Sequence, residues 1–227
     1  MSTRDDPTTE TVLSLGAALI AMRFAPGGIE RAAFVFALSL ATVIAGYFTA
    51  GTAIGFIGLG ILYFYRDPSR EAAGDGLLSP ADGRVRSITE DEDGRVRVAI
   101  FLNLWHVHVV RSSWEGRVDD RQRLRGHRRP AFLTSAVENA GVGFTFEEGG
   151  TIELRAGMFA RRVRPYIDAG SPVNRGERIG HITFGSRVDV VFPQAVELDH
   201  LTVSPGERVY GGTTVVADDP SLSSVNG

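Results

Sequence analysis

Residues 32–65 carry no charged side chain, only Ala, Val, Phe, Leu, Ile, Gly, Tyr and a few Ser and Thr over 34 positions. A single membrane-crossing helix needs roughly 20 such residues, so the run is long for one span and short for two. The patch Gly46-Tyr47-Phe48-Thr49-Ala50-Gly51-Thr52 offers a place to turn. The pattern therefore predicts a tight helical hairpin in the membrane rather than one tilted helix. A shorter apolar stretch, 12–22, reads as an interfacial or packing helix ended by Ala25-Pro26-Gly27-Gly28. Asp5, Asp6 and Glu10 ahead of it, with no small-residue cleavage site, argue against a secretory signal peptide.

At Tyr65-Arg66-Asp67-Pro68 the chain turns polar and rich in Gly and Arg, and arginine at that edge suits a cytoplasmic leaflet. Beyond it, short β-branched runs at 83–88, 95–102, 107–111, 151–154, 178–184, 188–192 and 213–217 are separated by Gly, Pro, Asp and Asn. Only 131–140 reads as a short helix. The expected class is α+β, mainly β, with a membrane-associated helical region over 1–65 and a β-rich catalytic domain over 66–227. Two stretches repeat one pattern: Val173-Asn174-Arg175-Gly176-Glu177-Arg178-Ile179 and Val203-Ser204-Pro205-Gly206-Glu207-Arg208-Val209. Paired turn-strand units of this kind resemble the barrel-sandwich of lipoyl-like domains.

Composition narrows the chemistry. A net charge of -3 gives no global attraction to nucleic acid. The absence of cysteine removes disulfides, thiolate nucleophiles and thiolate metal sites together. All 24 basic residues are arginine, so no internal lysine can form a Schiff base. Any carbonyl that captures an amine must come from elsewhere in the chain.

Three residue types suggest a source. Ser186 follows Gly185 between two apolar strand-like runs, where a glycine without a turn to make weakens a sheet. A serine placed there can attack the preceding carbonyl, convert the amide to an ester, and through β-elimination and hydrolysis leave a pyruvoyl group. That step needs a base and a group to orient the base, the logic of a Ser-His-Asp triad. His108 in Trp105-His106-Val107-His108 and Asp82 in Ser79-Pro80-Ala81-Asp82-Gly83 supply those types. Each also has an ordinary reading: Asp82 as a turn aspartate bonded to its own backbone, His108 as a packed core histidine, Ser186 as a loop serine. Strand alternation places His106 and His108 on opposite faces, and His127, His181 and His200 lie in unrelated contexts, so no metal site is expected.

Read together, Phe64-Tyr65-Arg66-Asp67-Pro68, residues 79–85, Val107-His108-Val109-Val110-Arg111-Ser112, Ala160-Arg161-Arg162 within 157–163, and residues 182–193 resemble the phosphatidylserine decarboxylase family. The likeness is to its short proenzyme forms, which include archaetidylserine decarboxylases. It implies cleavage between Gly185 and Ser186 into a β chain (1–185) and an α chain (186–227) that stay together as a heterodimer. It also implies a covalent pyruvoyl cofactor derived from Ser186, which forms a Schiff base with the amine of a serine phospholipid and promotes loss of carbon dioxide to give the ethanolamine phospholipid. Asp82, His108 and Ser186 match the self-processing triad, and His108 is the implied proton donor. The implied location is the cell membrane, with the catalytic domain on the cytoplasmic face. Trp105 stands where longer bacterial members carry a second histidine, and His106 where short relatives often have asparagine. Five arginines fall within 121–129; Arg128, Arg129, Arg161 and Arg162 are candidates for the substrate phosphate. Two other readings stay open. A membrane-tethered serine hydrolase would use the same triad types, although Phe184-Gly185-Ser186-Arg187-Val188 lacks a Gly-x-Ser-x-Gly elbow. A non-enzymatic lipoyl-like adaptor would ordinarily need a modified lysine.

Overall fold

The structure is a computed structural model that describes residues 23–127, 129–131, 133–158, 162–183 and 186–220. The 12–22 stretch, Arg128, Arg161 and the Phe184-Gly185 pair lie outside the described residues. The chain forms two compact units, 1–69 and 70–227.

In the first unit the uncharged run folds into two helices, α1 (Gly28–Ile44) and α2 (Phe48–Phe64). Gly46 turns the chain between them at φ 90°, a left-handed conformation that glycine adopts without penalty. The helices pack on each other through small residues, since a Cβ on Gly51 would stand 2.4 Å from the Val43 side chain and one on Gly58 would stand 2.7 Å from the Phe36 ring. Close approach of this kind lets Ser39 donate a 2.7 Å hydrogen bond from Oγ to the Gly51 carbonyl. Two short antiparallel strands, β1 (Arg23–Phe24) and β2 (Arg66–Asp67), join the ends of the unit. Phe34, Ile44, Phe48 and Phe56 are each at least 68% exposed, so the pair presents an apolar exterior. Each helix has 17 residues, and no helix among the described residues is long and apolar enough to cross a membrane.

The second unit is built on antiparallel strands. In chain order they are β3 (Leu77–Leu78), β4 (Gly83–Glu90), β5 (Val96–Leu102), β6 (Val109–Arg111), β7 (Gly116–Leu124), β8 (Gly141–Phe146), β9 (Thr151–Ala156), β10 (Val163–Pro165), β11 (Pro172–Val173), β12 (Arg178–Ile182), β13 (Ser186–Val191), β14 (Arg208–Val209) and β15 (Val215–Ala217). Eight of them form one sheet in the order β11-β7-β8-β9-β13-β5-β4-β14, beside a three-stranded sheet β10-β12-β6 and the pair β15-β3. Val98, Ile100, Phe144, Ile152, Leu154, Val188 and Val190 share one face of the large sheet by register and form its core. The two repeats fold alike. Glu177 accepts from the Asn174 N–H and Glu207 from the Ser204 N–H, while Gly176 and Gly206 take φ 78° and 91°.

All three strands between residues 186 and 217 pair with earlier ones: β13 with β5 and β9, β14 with β4, β15 with β3. None pairs with another strand of that segment.

Three expectations change. Residues 116–124, with Arg, Asp and Gln at six positions, give no strand alternation, yet they form β7, whose pairing with β8 satisfies their backbone groups. The arginine run therefore starts inside a strand. Of the expected helix over 131–140, only a 3₁₀ turn at Thr134–Glu138 forms. The strand expected over 107–111 shortens to β6, and both His106 and His108 lie in the turn before it, buried to 7% and 3% exposure, so strand alternation does not separate them.

Gly141 lies where β8 meets β9 so closely that a Cβ would stand 2.0 Å from the Leu154 carbonyl oxygen. Gly141→Ala is expected to destabilise the protein by on the order of 3 kcal/mol through overpacking, measured as a lower urea midpoint; an unchanged midpoint would contradict this register.

Candidate active site

Ser186 is the first residue of β13, between Leu102 of β5 and Ala156 of β9. Its side chain falls on the same face as Val188 and Val190, and it is fully buried. Its Oγ has no hydrogen-bond partner among the described residues. A buried hydroxyl without a partner costs roughly 1–3 kcal/mol, so its burial asks for an explanation.

His108 leads into β6, where its carbonyl accepts the Ile182 N–H at 3.1 Å and so ties it to the strand four residues before Ser186. Its Nδ1 lies 2.9 Å from the His106 carbonyl oxygen. A carbonyl only accepts, so Nδ1 carries the proton and, in the neutral ring, Nε2 keeps the lone pair of a base. His106 itself accepts the Asn103 N–H at Nδ1 and shapes the 103–106 turn, a structural task.

Asp82 does not bond its own turn. Its carboxylate takes both arms of the Arg70 guanidinium, the longer contact 2.9 Å, and the Gly211 N–H at 2.9 Å. Arg70 also donates to the Gly211 carbonyl at 2.6 Å. Ser79 joins the same clasp, donating its N–H to Thr214 O and accepting from Gly212 N–H. The 79–82 turn is thereby bound to the segment after Ser186. Arg70 was invisible in the sequence because an arginine twelve residues from an aspartate has no periodic signature.

Behind Ser186, on the opposite face of the same strands, lies a buried ionic group. Arg187 grips Asp189 with contacts of 2.7–2.9 Å, and by register these stand beside Arg155 and Glu153. Glu153 Oε2 takes Arg97 at 2.8 Å and Arg155 at 2.9 Å. Burial pushes the Glu153 carboxyl up, but Arg155 and Arg97 outweigh it and hold the group below its ordinary value. Burial raises Asp189, and Arg187 works against that rise. The β-branched run over 188–192 hides this group in the sequence, where its signal is the alternation of Arg187 and Asp189 with Val188 and Val190.

Of the arginines marked for a phosphate, Arg129 is engaged by Glu138 at 3.1 Å. Arg162 binds Thr183 through its backbone, leaving its guanidinium without a carboxylate partner among the described residues.

A family model described as phosphatidylserine decarboxylase matches residues 57–217 of this chain. The chain belongs to the phosphatidylserine decarboxylase family. Among its relatives, a Halobacterium salinarum protein provisionally named as an archaetidylserine decarboxylase proenzyme is 41% identical over 186 residues, covering 80% of this chain and 94% of the relative. A phosphatidylserine decarboxylase proenzyme of Streptomyces coelicolor is 43% identical over 70% of this chain and 73% of its own length. One of Burkholderia vietnamiensis is 34% identical over 70% and 78%. No solved structure matches. The chain is thus an enzyme of a decarboxylase family whose members are named as proenzymes.

A glutamate held below its ordinary value in the folded state stabilises above the unfolded-state value and loses that contribution as pH falls through the folded-state one. Glu153→Gln leaves Arg97 and Arg155 uncompensated, and the expected cost at neutral pH is about 3 kcal/mol. In urea unfolding the gap between variant and wild type should narrow as pH falls below the ordinary glutamate range and Glu153 takes up a proton; a gap independent of pH would show that the glutamate is not ionised in the fold.

Proposed function

We propose that this chain is a self-processing, pyruvoyl-dependent decarboxylase that converts a serine phospholipid, phosphatidylserine or archaetidylserine, to its ethanolamine counterpart at a membrane. The observation that carries the reading is Ser186: a buried hydroxyl with no partner among the described residues, at the start of a strand paired on both edges, in a chain of this family. A pyruvoyl group derived from that serine fits the place, because a keto carbonyl asks for no hydrogen-bond acceptor and the surrounding sheet face is apolar. The absence of lysine agrees with an amine-capturing carbonyl made from the backbone.

In self-processing, Ser186 Oγ attacks the Gly185 carbonyl carbon. The new C–O bond forms as the peptide C–N bond breaks, and the freed nitrogen takes the hydroxyl proton through His108 Nε2. Loss of the Ser186 α-proton then expels the Gly185 carboxylate, and water replaces the nitrogen, which departs as ammonia. The pyruvoyl group would supply a ketone that condenses with the substrate amine and draws electrons from the bond to the leaving carbon dioxide. His108 returns a proton to the carbon that lost its carboxylate. Asp82, with Arg70, completes the set by holding the 79–82 turn against the segment downstream of the cut.

The apolar exterior of α1 and α2 supports a hairpin lodged in the bilayer. At 1.5 Å per residue each helix is about 25 Å long, less than a hydrocarbon core of about 30 Å. The cation-π contact of Arg66 with Tyr63 suits an interfacial edge, here assigned to the cytoplasmic face of the cell membrane. The twin turn-strand units support a barrel-sandwich catalytic domain, and the interleaved strands support an α and β chain that remain one heterodimer.

Intact mass spectrometry of the purified protein should give two fragments divided at Gly185–Ser186, the smaller lighter by ammonia than a serine-terminated chain. A single folded, uncleaved chain would favour a hydrolase or adaptor. Ser186→Ala is expected to abolish both splitting and carbon dioxide release from serine phospholipid. His108→Ala should block splitting as well, and normal splitting in that variant would remove His108 as the base.

A further inference from the structure

A cavity of about 400 Å³ is lined among others by Arg121, Arg123, Ala156 and Arg162. Two links fasten it to the site. Ala156 is the direct cross-strand neighbour of Ser186, and Arg162 is bound through its backbone to Thr183, three residues before Ser186, in bonds of 3.3 and 3.0 Å.

Register places the arginines. Arg123 pairs with Val142, Val142 with Leu154, and Leu154 with Val188, whose face is that of Ser186. Arg121, two residues earlier on β7, lies on the same face. β7 is three strand spacings from β13, about 14 Å, a gap that an extended arginine and a small, net-anionic phosphoserine headgroup together bridge.

The charge is one-sided. No carboxylate lines the cavity among the described residues. Arg123 and Arg162 have no ion-pair partner there, and Arg121 meets only the largely exposed Asp168 at 3.0 Å. Three guanidiniums around one hollow repel each other, and an anion that accepts their N–H groups relieves the repulsion.

We propose that Arg121, Arg123 and Arg162 form the phosphodiester subsite that seats the serine phospholipid with its amine toward residue 186. This rests on the decarboxylase reading and assigns the phosphate to β7 and Arg162 rather than to Arg128 and Arg129. The phosphate is bound by forked N–H donors, and the headgroup, not the lipid tails, is what the cavity recognises.

The test uses the full-length Ser186→Ala chain in detergent, titrated calorimetrically with glycerophosphoserine and, separately, with inorganic phosphate. Glycerophosphoserine should bind, and adding Arg123→Gln or Arg162→Gln should weaken it at least about tenfold. Arg84→Gln, which removes an arginine bonded instead to the Gly206 carbonyl, should change nothing. Should Arg123→Gln fail to fold by circular dichroism, Arg123→Lys replaces it and is expected to weaken binding by losing the fork while keeping the charge. Affinity unchanged in the Arg123 and Arg162 variants overturns the subsite, and so does binding of inorganic phosphate without glycerophosphoserine. Failure of the decarboxylase reading shows separately, as a wild-type chain that stays in one piece whatever the titrations give.

Discussion

Strand β13 is hydrogen-bonded along both edges from its first residue, and the rest of the site depends on that double ladder. Ser186 cannot fray as a strand end usually does, because Leu102 and Ala156 hold it from either side. The alternation of the strand then divides the labour. Ser186, Val188 and Val190 build an apolar, unreactive floor around one hydroxyl, while Arg187 and Asp189 turn to the other face and join Arg97, Glu153 and Arg155. Buried ion pairs add little net stability against an apolar replacement, yet breaking one leaves an uncompensated charge. Such a network penalises any shift of register, which in a strand would turn Ser186 to the wrong face.

Much of this architecture was legible in the sequence. The uncharged 34-residue run gave two helices and a glycine turn, because a stretch without charges has few alternatives to packing on itself or on lipid. Seven β-branched runs landed on strands, and the two Gly-Glu repeats proved to be the same turn, with the glutamate bonded to the amide three residues back. What failed was local propensity where tertiary pairing decides. β7 carries Arg, Asp and Gln at most of its positions and is a strand only because β8 and β11 offer partners. The turn holding His106 and His108 is set by Asn103 and His106 bonding to neighbouring amides, which a simple alternation rule cannot anticipate.

The candidate site was legible by residue type more than by geometry. Ser186 and His108 are buried and tied to neighbouring elements, and a histidine whose Nδ1–H donates to a local carbonyl needs no carboxylate to choose its tautomer. Asp82 therefore appears as a clasp to Gly211, with Arg70 neutralising it, an arrangement that depends on residues 129 positions apart and has no trace in local sequence. The arginine run drew attention for its density; in the fold, strand membership separates arginines that share the Ser186 face from those spent on nearby carboxylates.

The interleaving of β13, β14 and β15 with earlier strands has a consequence for when chemistry can begin. Until residues 186–217 have emerged from the ribosome, β5 and β9 lack the strand that joins them, β4 lacks β14 and β3 lacks β15. The nascent chain therefore has neither a held Ser186 nor a clasped Asp82, however much of its N-terminal part has been made. Order of synthesis becomes a safety catch for the proposed self-processing: the backbone bond before Ser186 would meet its attacker only after the strands on both sides of the cut have paired, so the cut would fall on a molecule that already holds both pieces in place.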